Sequence, residues 1–301
     1  MLRMMRNIKY ITFETLSKVA PLKGFDRSEP AVVGFSVHCE KIYDGVIYRA
    51  LLQFSKYFFG MTGKRLIVCT HSPLNPVTQY VIKNIGLKEA EYKERLDSLR
   101  EFCDLGYHGH FYRKKKEGEY STINEYSPHS DVAVGQIRQE CGWFRDNGFT
   151  PRKYIAGWWY LNKDIVLELE AQGFETDFSM RCSGKDTFGC KYLQEDERLP
   201  VGDPFILPPS KRIIEIQTVF GPTSHPYRVG QLLGRFMRYG KDRKIYFVFS
   251  MHDWDLLIFD REIRASIEFV TRARESFQLS DFNVNELDAI RSILRKKRNH
   301  L

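Results

Sequence analysis

Seven short runs rich in β-branched and aromatic residues, with helical patterns between most of them, constrain this chain more than any other feature. They are AVVGFSV (31–37), KRLIVCT (64–70), DLGYH (104–108), KYIAGW (153–158), ETDFSM (175–180), IIEIQT (213–218) and KIYFVFS (244–250). Most are nearly continuous in apolar side chains, the pattern of strands buried on both faces. Such strands need helices to cover them. The stretch from Ser130 to Gly148 opens on a plausible N-cap at Ser130, repeats Val134, Ile137, Cys141 and Phe144 on one face, and stops at a glycine. Asn162 to Gly173 is built the same way. The expected fold is α/β with a parallel sheet, open or closed into a barrel, whose functional groups gather beyond the carboxyl ends of the strands.

At 301 residues and 43% hydrophobic, the chain can bury a substantial core. Residues 1–28 read as an N-terminal arm and 29–280 as the barrel. The stretch 181–210 is an insertion carrying Gly, Pro and charge without a period, and 281–301 is a basic C-terminal helix, amphipathic from about Val284 to Arg298. No window reaches the roughly 18 apolar residues of a membrane span and no apolar signal core is visible, so the expected location is cytoplasmic. The six cysteines are scattered without a C-x-x-C pair, which favours reduced thiols over a disulfide framework or a cysteine zinc cluster. The net charge of +8 suits an anionic partner, with much of the excess at the ends, in Arg3, Arg6 and RSILRKKRNHL. No nucleic-acid motif accompanies it, so no specific nucleic-acid partner is expected. Contact between the basic C-terminal helix and an anionic inner membrane surface stays open.

The histidines test the strand-end rule. His38 follows the first run, His71 the second, His108 and His110 the third and His252 the last, so five of the eight fall where such a fold builds its site. In FSVHCE, His38 and Glu40 alternate and project to one side of a continuing strand, fit either to hold a metal or to move a proton; a sheet-capping histidine beside a solvated glutamate is the plain alternative. GYHGH repeats the i, i+2 spacing, with Gly106 and Gly109 allowing close backbone approach. Two histidines and a carboxylate from neighbouring strands suit zinc or a similar divalent ion. FSMHDWD sets His252 after an apolar run, with Asp253 and Asp255 available to orient its ring or bind polar substrate. In AGWWYLN, Trp158 or Trp159 offers a face for a sugar ring, though one of the two is expected to pack in the core.

These motifs, in this order, resemble the polysaccharide deacetylase family over about Ala31 to Arg274. GFSVHCE stands at the family's first acidic motif, LGYHGHFY at its histidine motif, YIAGWWYLNKDIVLELEAQGFETDFS at the region after its arginine-proline motif, and FVFSMHDWD at its final histidine motif. The resemblance implies a distorted (β/α) barrel of about seven strands and a metal-dependent removal of acetyl groups from sugars. It also exposes departures. His38 replaces the catalytic-base aspartate and Glu40 takes the approximate place of the metal-binding acid. His108 matches the first metal histidine, Tyr112 occupies the place of the second, and Ile155 falls near the family's arginine.

The expected ligand set is therefore Glu40, His108 and His110, with His129 as a substitute ligand. His38 would act as base and His252 as acid, while Trp158, Trp159 and Asp253 would contact a carbohydrate substrate. The expected activity is de-N-acetylation of an amino sugar in a polysaccharide or glycan precursor. The alternative is a non-catalytic carbohydrate-binding domain on the same barrel. A glycosidic hydrolase using carboxylates among Glu40, Asp177 and Asp253 is a third reading.

Overall fold

The computed structural model describes residues 29–180, 202–220 and 244–298. The expected arm at 1–28 and most of the expected insertion, 181–201, lie outside the described residues.

The chain runs β1 (Ala31–Cys39), α1 (Gly45–Thr62), β2 (Leu66–Thr70), α2 (Pro76–Ile85), α3 (Glu89–Arg100), β3 (Cys103–Gly109), β4 (Phe111–Lys116), β5 (Glu119–Ile123), α4 (Ser130–Asp146) and β6 (Lys153–Ala156). A 3-10 turn (Gly157–Trp159) leads to α5 (Lys163–Ala171), β7 (Thr176–Asp177), β8 (Phe205–Ile206), β9 (Ile214–Glu215) and β10 (Thr218–Phe220). Then come β11 (Tyr246–His252), α6 (Asp255–Arg272), β12 (Phe277–Leu279) and α7 (Val284–Arg298).

The main sheet has the order β10-β11-β1-β2-β3-β6-β7-β9-β8, with β12 beside the start of β1. Among the described residues, only the β8–β9 pairing of this sheet is antiparallel. β9 and β10 lie near opposite edges of that order, yet only Ile216 and Gln217 separate them in the chain. The sheet must therefore curl until its edges nearly meet, which makes a distorted (β/α) barrel. The single run read at 213–218 is divided between β9 and β10 because the chain crosses here from one edge to the other. The hairpin β4–β5 forms a second, antiparallel sheet. Its lysine-rich β4 has no apolar face beyond its first residues and gave no strand signal.

β1 is buried along its whole length. β11 lies on one side, while β12 and then β2 share the other. Inside the curl, Val32, Ile67, Ile155, Phe178, Ile214 and Val248 form one cluster, into which Phe282, Leu287 and Ile290 of the C-terminal segment also pack. Those residues close the interior from the side where β1 begins, which leaves the carboxyl ends of the strands for chemistry. The outer layer is larger and apolar, with Phe54, Phe58, Leu96, Ile137, Phe144 and Val270 between sheet and helices. Asp44 caps α1 by accepting from Val46 and Ile47 N–H at 2.7 and 3.1 Å. α4 starts differently from expectation: its N-cap is His129, without a side-chain cap bond, and the hydroxyl of Ser130 instead accepts from Asn162 at 2.9 Å. Cys39, Cys69, Cys103 and Cys141 are buried free thiols. Among the described residues no helix is long and apolar enough to cross a membrane.

Candidate metal centre

Parallel pairing sets His38 of β1 in register with His252 of β11, their ring centroids 5.3 Å apart. Two residues earlier on each strand, Ser36 and Ser250 share a 2.6 Å hydroxyl bond, so a polar floor lies under the two imidazoles. β3 delivers His108, and His110 follows just past its end. The carboxylate of Glu40, one residue past β1, meets all three: Oε1 lies 3.2 Å from His110 Nε2, 3.6 Å from His108 Nε2 and 3.8 Å from His252 Nε2. One ligand atom from each of Glu40, His108 and His110 falls within 4.8 Å of the others. Small residues make room for this packing. A Cβ on Gly157 would meet the ring of His110, and one on Gly109 would meet the phenol of Tyr154.

The nitrogens are aimed for coordination. His108 Nδ1 lies 2.9 Å from the carbonyl of Ile155, which can only accept, so Nδ1 carries the proton and Nε2 presents its lone pair. That Nε2 is buried without a hydrogen-bond partner. An orphaned, buried lone pair facing a carboxylate and a second imidazole is the donor set that zinc-like divalent ions take. Burial holds His38 well below the usual histidine range, with His108 and His252 adding to the effect. Burial does the same to His71 and, against the pull of Glu40, lowers His110. Burial opposes ionisation of Glu40, but the facing imidazoles of His108 and His110, the latter at 3.2 Å, outweigh it and hold the carboxyl below the usual range. The site is thus an ionised carboxylate among imidazoles, of which burial biases His38, His71 and His110 toward the neutral form. His38 and His108 are buried, whereas Glu40 and His252 keep side-chain exposures of 25% and 23%, so approach is from their side.

The other expected site residues divide. His129 stands apart from the cluster beside Arg113, 3.4 Å from its guanidinium, and takes no place among the ligands. The β4–β5 hairpin, absent from the expectation, separates it from His110 along the chain. Asp253 is fully buried, and its two oxygens accept from Lys41 N–H and Trp254 N–H at 2.7 and 3.0 Å. It ties the β1 and β11 loops together and is not presented to substrate; burial pushes its carboxyl up to about 6. Trp159 is buried with its ring 5.5 Å from His38, a packing position, whereas Trp158 is 61% exposed and edge-on to His110 at 5.9 Å. Both tryptophans have left-handed backbone, φ 52° and 57°, strain of the kind that persists where a site requires it. Tyr112 stacks on His110 at 6.2 Å with rings 17° apart. Ile155, near the family's arginine, contributes only its carbonyl.

Two participants had no assigned role from sequence. His71 joins the cluster, 5.2 Å from His108 and 5.5 Å from His110 between ring centroids; its strand-end position was the signal. Glu140 lies behind the site on α4, and its signal was an acid on the apolar face that holds Ile137, Cys141 and Phe144.

The curled, mainly parallel sheet is shared with solved structures, among them one of the polysaccharide deacetylase type. A Mycobacterium smegmatis protein described as a polysaccharide deacetylase matches 93% of this chain and 94% of its own, with TM-score 0.56 at 12% identity. The PuuE allantoinase matches 89% of this chain and 91% of its own, with TM-score 0.55 at 10% identity. For the 4-α-glucanotransferase of Thermococcus litoralis the values are 87%, TM-score 0.54 and 13% identity, and this chain spans only 40% of that enzyme. No family sequence model and no curated protein sequence matches the chain. The likeness establishes the fold: a divergent, deacetylase-like distorted (β/α) barrel.

Proposed function

We propose that this chain is a metal-dependent hydrolase that removes the acetyl group from an amino sugar of a polysaccharide or glycan precursor. The observation that carries the reading is the orphaned Nε2 of His108, fixed in its tautomer by the Ile155 carbonyl and facing Glu40 and His110. Glu40, His108 and His110 would hold the ion, zinc by the chemistry of the donors. When bound, such an ion supplies Lewis-acid polarisation of the acetyl carbonyl and a nucleophile at neutral pH.

The chain's own groups do the rest. His38, held neutral by burial, is able to accept a proton where the family has an aspartate. His252, at the open side of Glu40, hands a proton to the departing nitrogen as the amide C–N bond breaks. Its ring lies flat against Trp254, centroids 4.2 Å apart, and Asp255 accepts from its backbone N–H at 2.9 Å, so its orientation is fixed. Trp158, exposed beside His110, offers a face on which a sugar ring stacks.

The test is acetate release from N-acetylated oligosaccharides by protein stripped of metal and then reloaded with zinc. The reading expects release that requires zinc and is lost in His108→Ala. Zinc-independent glycan binding without acetate release would favour the non-catalytic module instead.

A further inference from the structure

His110 is the ligand most in need of explanation, because it lies beyond β3 and its ring orientation is not set by strand geometry. Its carbonyl accepts from Asn75 Nδ2 at 2.9 Å. The same amide donates to Glu140 Oε1 at 3.1 Å. Glu140 is completely buried and ion-pairs with no base among the described residues; it also accepts from Tyr107 O–H at 3.1 Å and from Ser72 N–H at 2.9 Å. One turn earlier on α4, the side-chain amide of Gln136 bonds both the N–H and the carbonyl of Tyr112. Tyr92 O–H donates to the carbonyl of His71 at 2.9 Å. Gln136 and Glu140 on one face of α4, together with Asn75 and with Tyr92 of α3, thus hold the backbone on both sides of Phe111 and the loop that carries His71.

From this geometry, and resting on the metal-centre reading above, we infer that Glu140 is a positioning residue. Through Asn75 it fixes the backbone of His110, and so the place of that imidazole opposite Glu40. Among the mainly apolar buried residues of α4, a carboxylate with no cation beside it among the described residues has no packing reason to be there. Its oxygens instead gather three donors from β3 and the β2–α2 loop. Partners of this kind, one shell behind a ligand, commonly change metal affinity by about 10–100-fold. Burial pushes the carboxyl up to about 7, so its neutral and ionised forms both serve as acceptors near neutral pH.

Three variants test this on the full chain: Glu140→Ala, Glu140→Gln and Asn75→Ser. The last keeps a residue type able to cap α2, where Asn75 accepts from Val77 N–H at 3.3 Å, while removing both Nδ2 bonds. Val270→Ala, in the buried part of α6, serves as a control for general destabilisation. Zinc affinity is measured by chelator competition. The imidazole resonances of His110 are followed by NMR in metal-free protein.

Glu140→Ala and Asn75→Ser are expected to weaken zinc at least ~10-fold and to shift the His110 signals, with Glu140→Gln intermediate. The control should leave both unchanged even at a matched loss of thermal stability. Affinities that fall no further than in the control, or His110 signals that stay in place, would overturn the inference. A parent that binds no zinc would refute the metal reading, and the His110 resonances would still decide whether Glu140 positions that residue.

Discussion

His110 and Tyr112 show what a displacement of two residues does. The sequence resemblance sets Tyr112 where the family has its second histidine, and its phenol stacks on the imidazole that stands two residues earlier. Tyr112→Phe is therefore expected to leave zinc content intact and to change turnover only modestly, while His110→Ala abolishes tight zinc binding; metal analysis of the purified variants checks both. His252→Ala, which removes the group assigned to protonate the leaving nitrogen, should lower turnover by roughly a hundredfold or more with an unchanged circular-dichroism spectrum. Unchanged turnover would assign His252 to structure. That Glu40, His108, His110, His38 and His252 share one location was legible in the sequence, because each falls at or just after the end of an apolar strand and the strand-end rule turns that one-dimensional fact into a place. Asp253 and His129 were misread for a related reason. Spacing reports proximity along the chain, whereas whether a carboxylate is used up by backbone donors depends on a loop from another strand, here the one carrying Lys41.

At the scale of elements, the turn Gly157–Trp159 sets a wall of the site. Gly157→Ala would drive a methyl into the ring of His110, so zinc affinity should fall by at least ~10-fold while the sheet stays intact; chelator competition measures it. Between β7 and β9, Asp177 and Glu215 are in-register neighbours, both fully buried. Asp177 Oδ2 and Glu215 Oε2 are left without a donor from elsewhere, so the pair retains a proton. Burial pushes Asp177 up to about 6 and Glu215 further above its usual value, the latter reinforced by Asp177. Unfolded carboxyls titrate near 4, so between about pH 4 and 6 the folded chain binds more protons than the unfolded one. This contribution to stability is full below about pH 4 and is lost as pH rises through about 6 and beyond. Urea midpoints should therefore fall across that window, and Asp177→Asn should flatten the profile. An equally steep profile in the variant would show that the pair does not hold the proton. The sequence displayed ETDFSM and IIEIQT only as two strands; that their acids meet follows from strand order, which no local pattern contains.

The whole molecule is a sheet that curls because the chain must pass directly from β9 to β10 across its two edges. That curl brings β1, β3, β6 and β11 around one opening and joins in the candidate site residues more than two hundred positions apart, Glu40 and His252. The barrel class was legible from alternating apolar strands and helices, and the C-terminal helix from its amphipathic period. The β4–β5 hairpin was not, because its strands are polar and are held by α4 instead of by a core of their own. The measurement that tests the central claim most directly is anomalous diffraction at the zinc absorption edge from crystals of the full chain grown with zinc. The account predicts one strong peak about 2.0–2.2 Å from a Glu40 carboxylate oxygen, His108 Nε2 and His110 Nε2. Full-occupancy zinc bound elsewhere, or no peak among these three side chains, would contradict it.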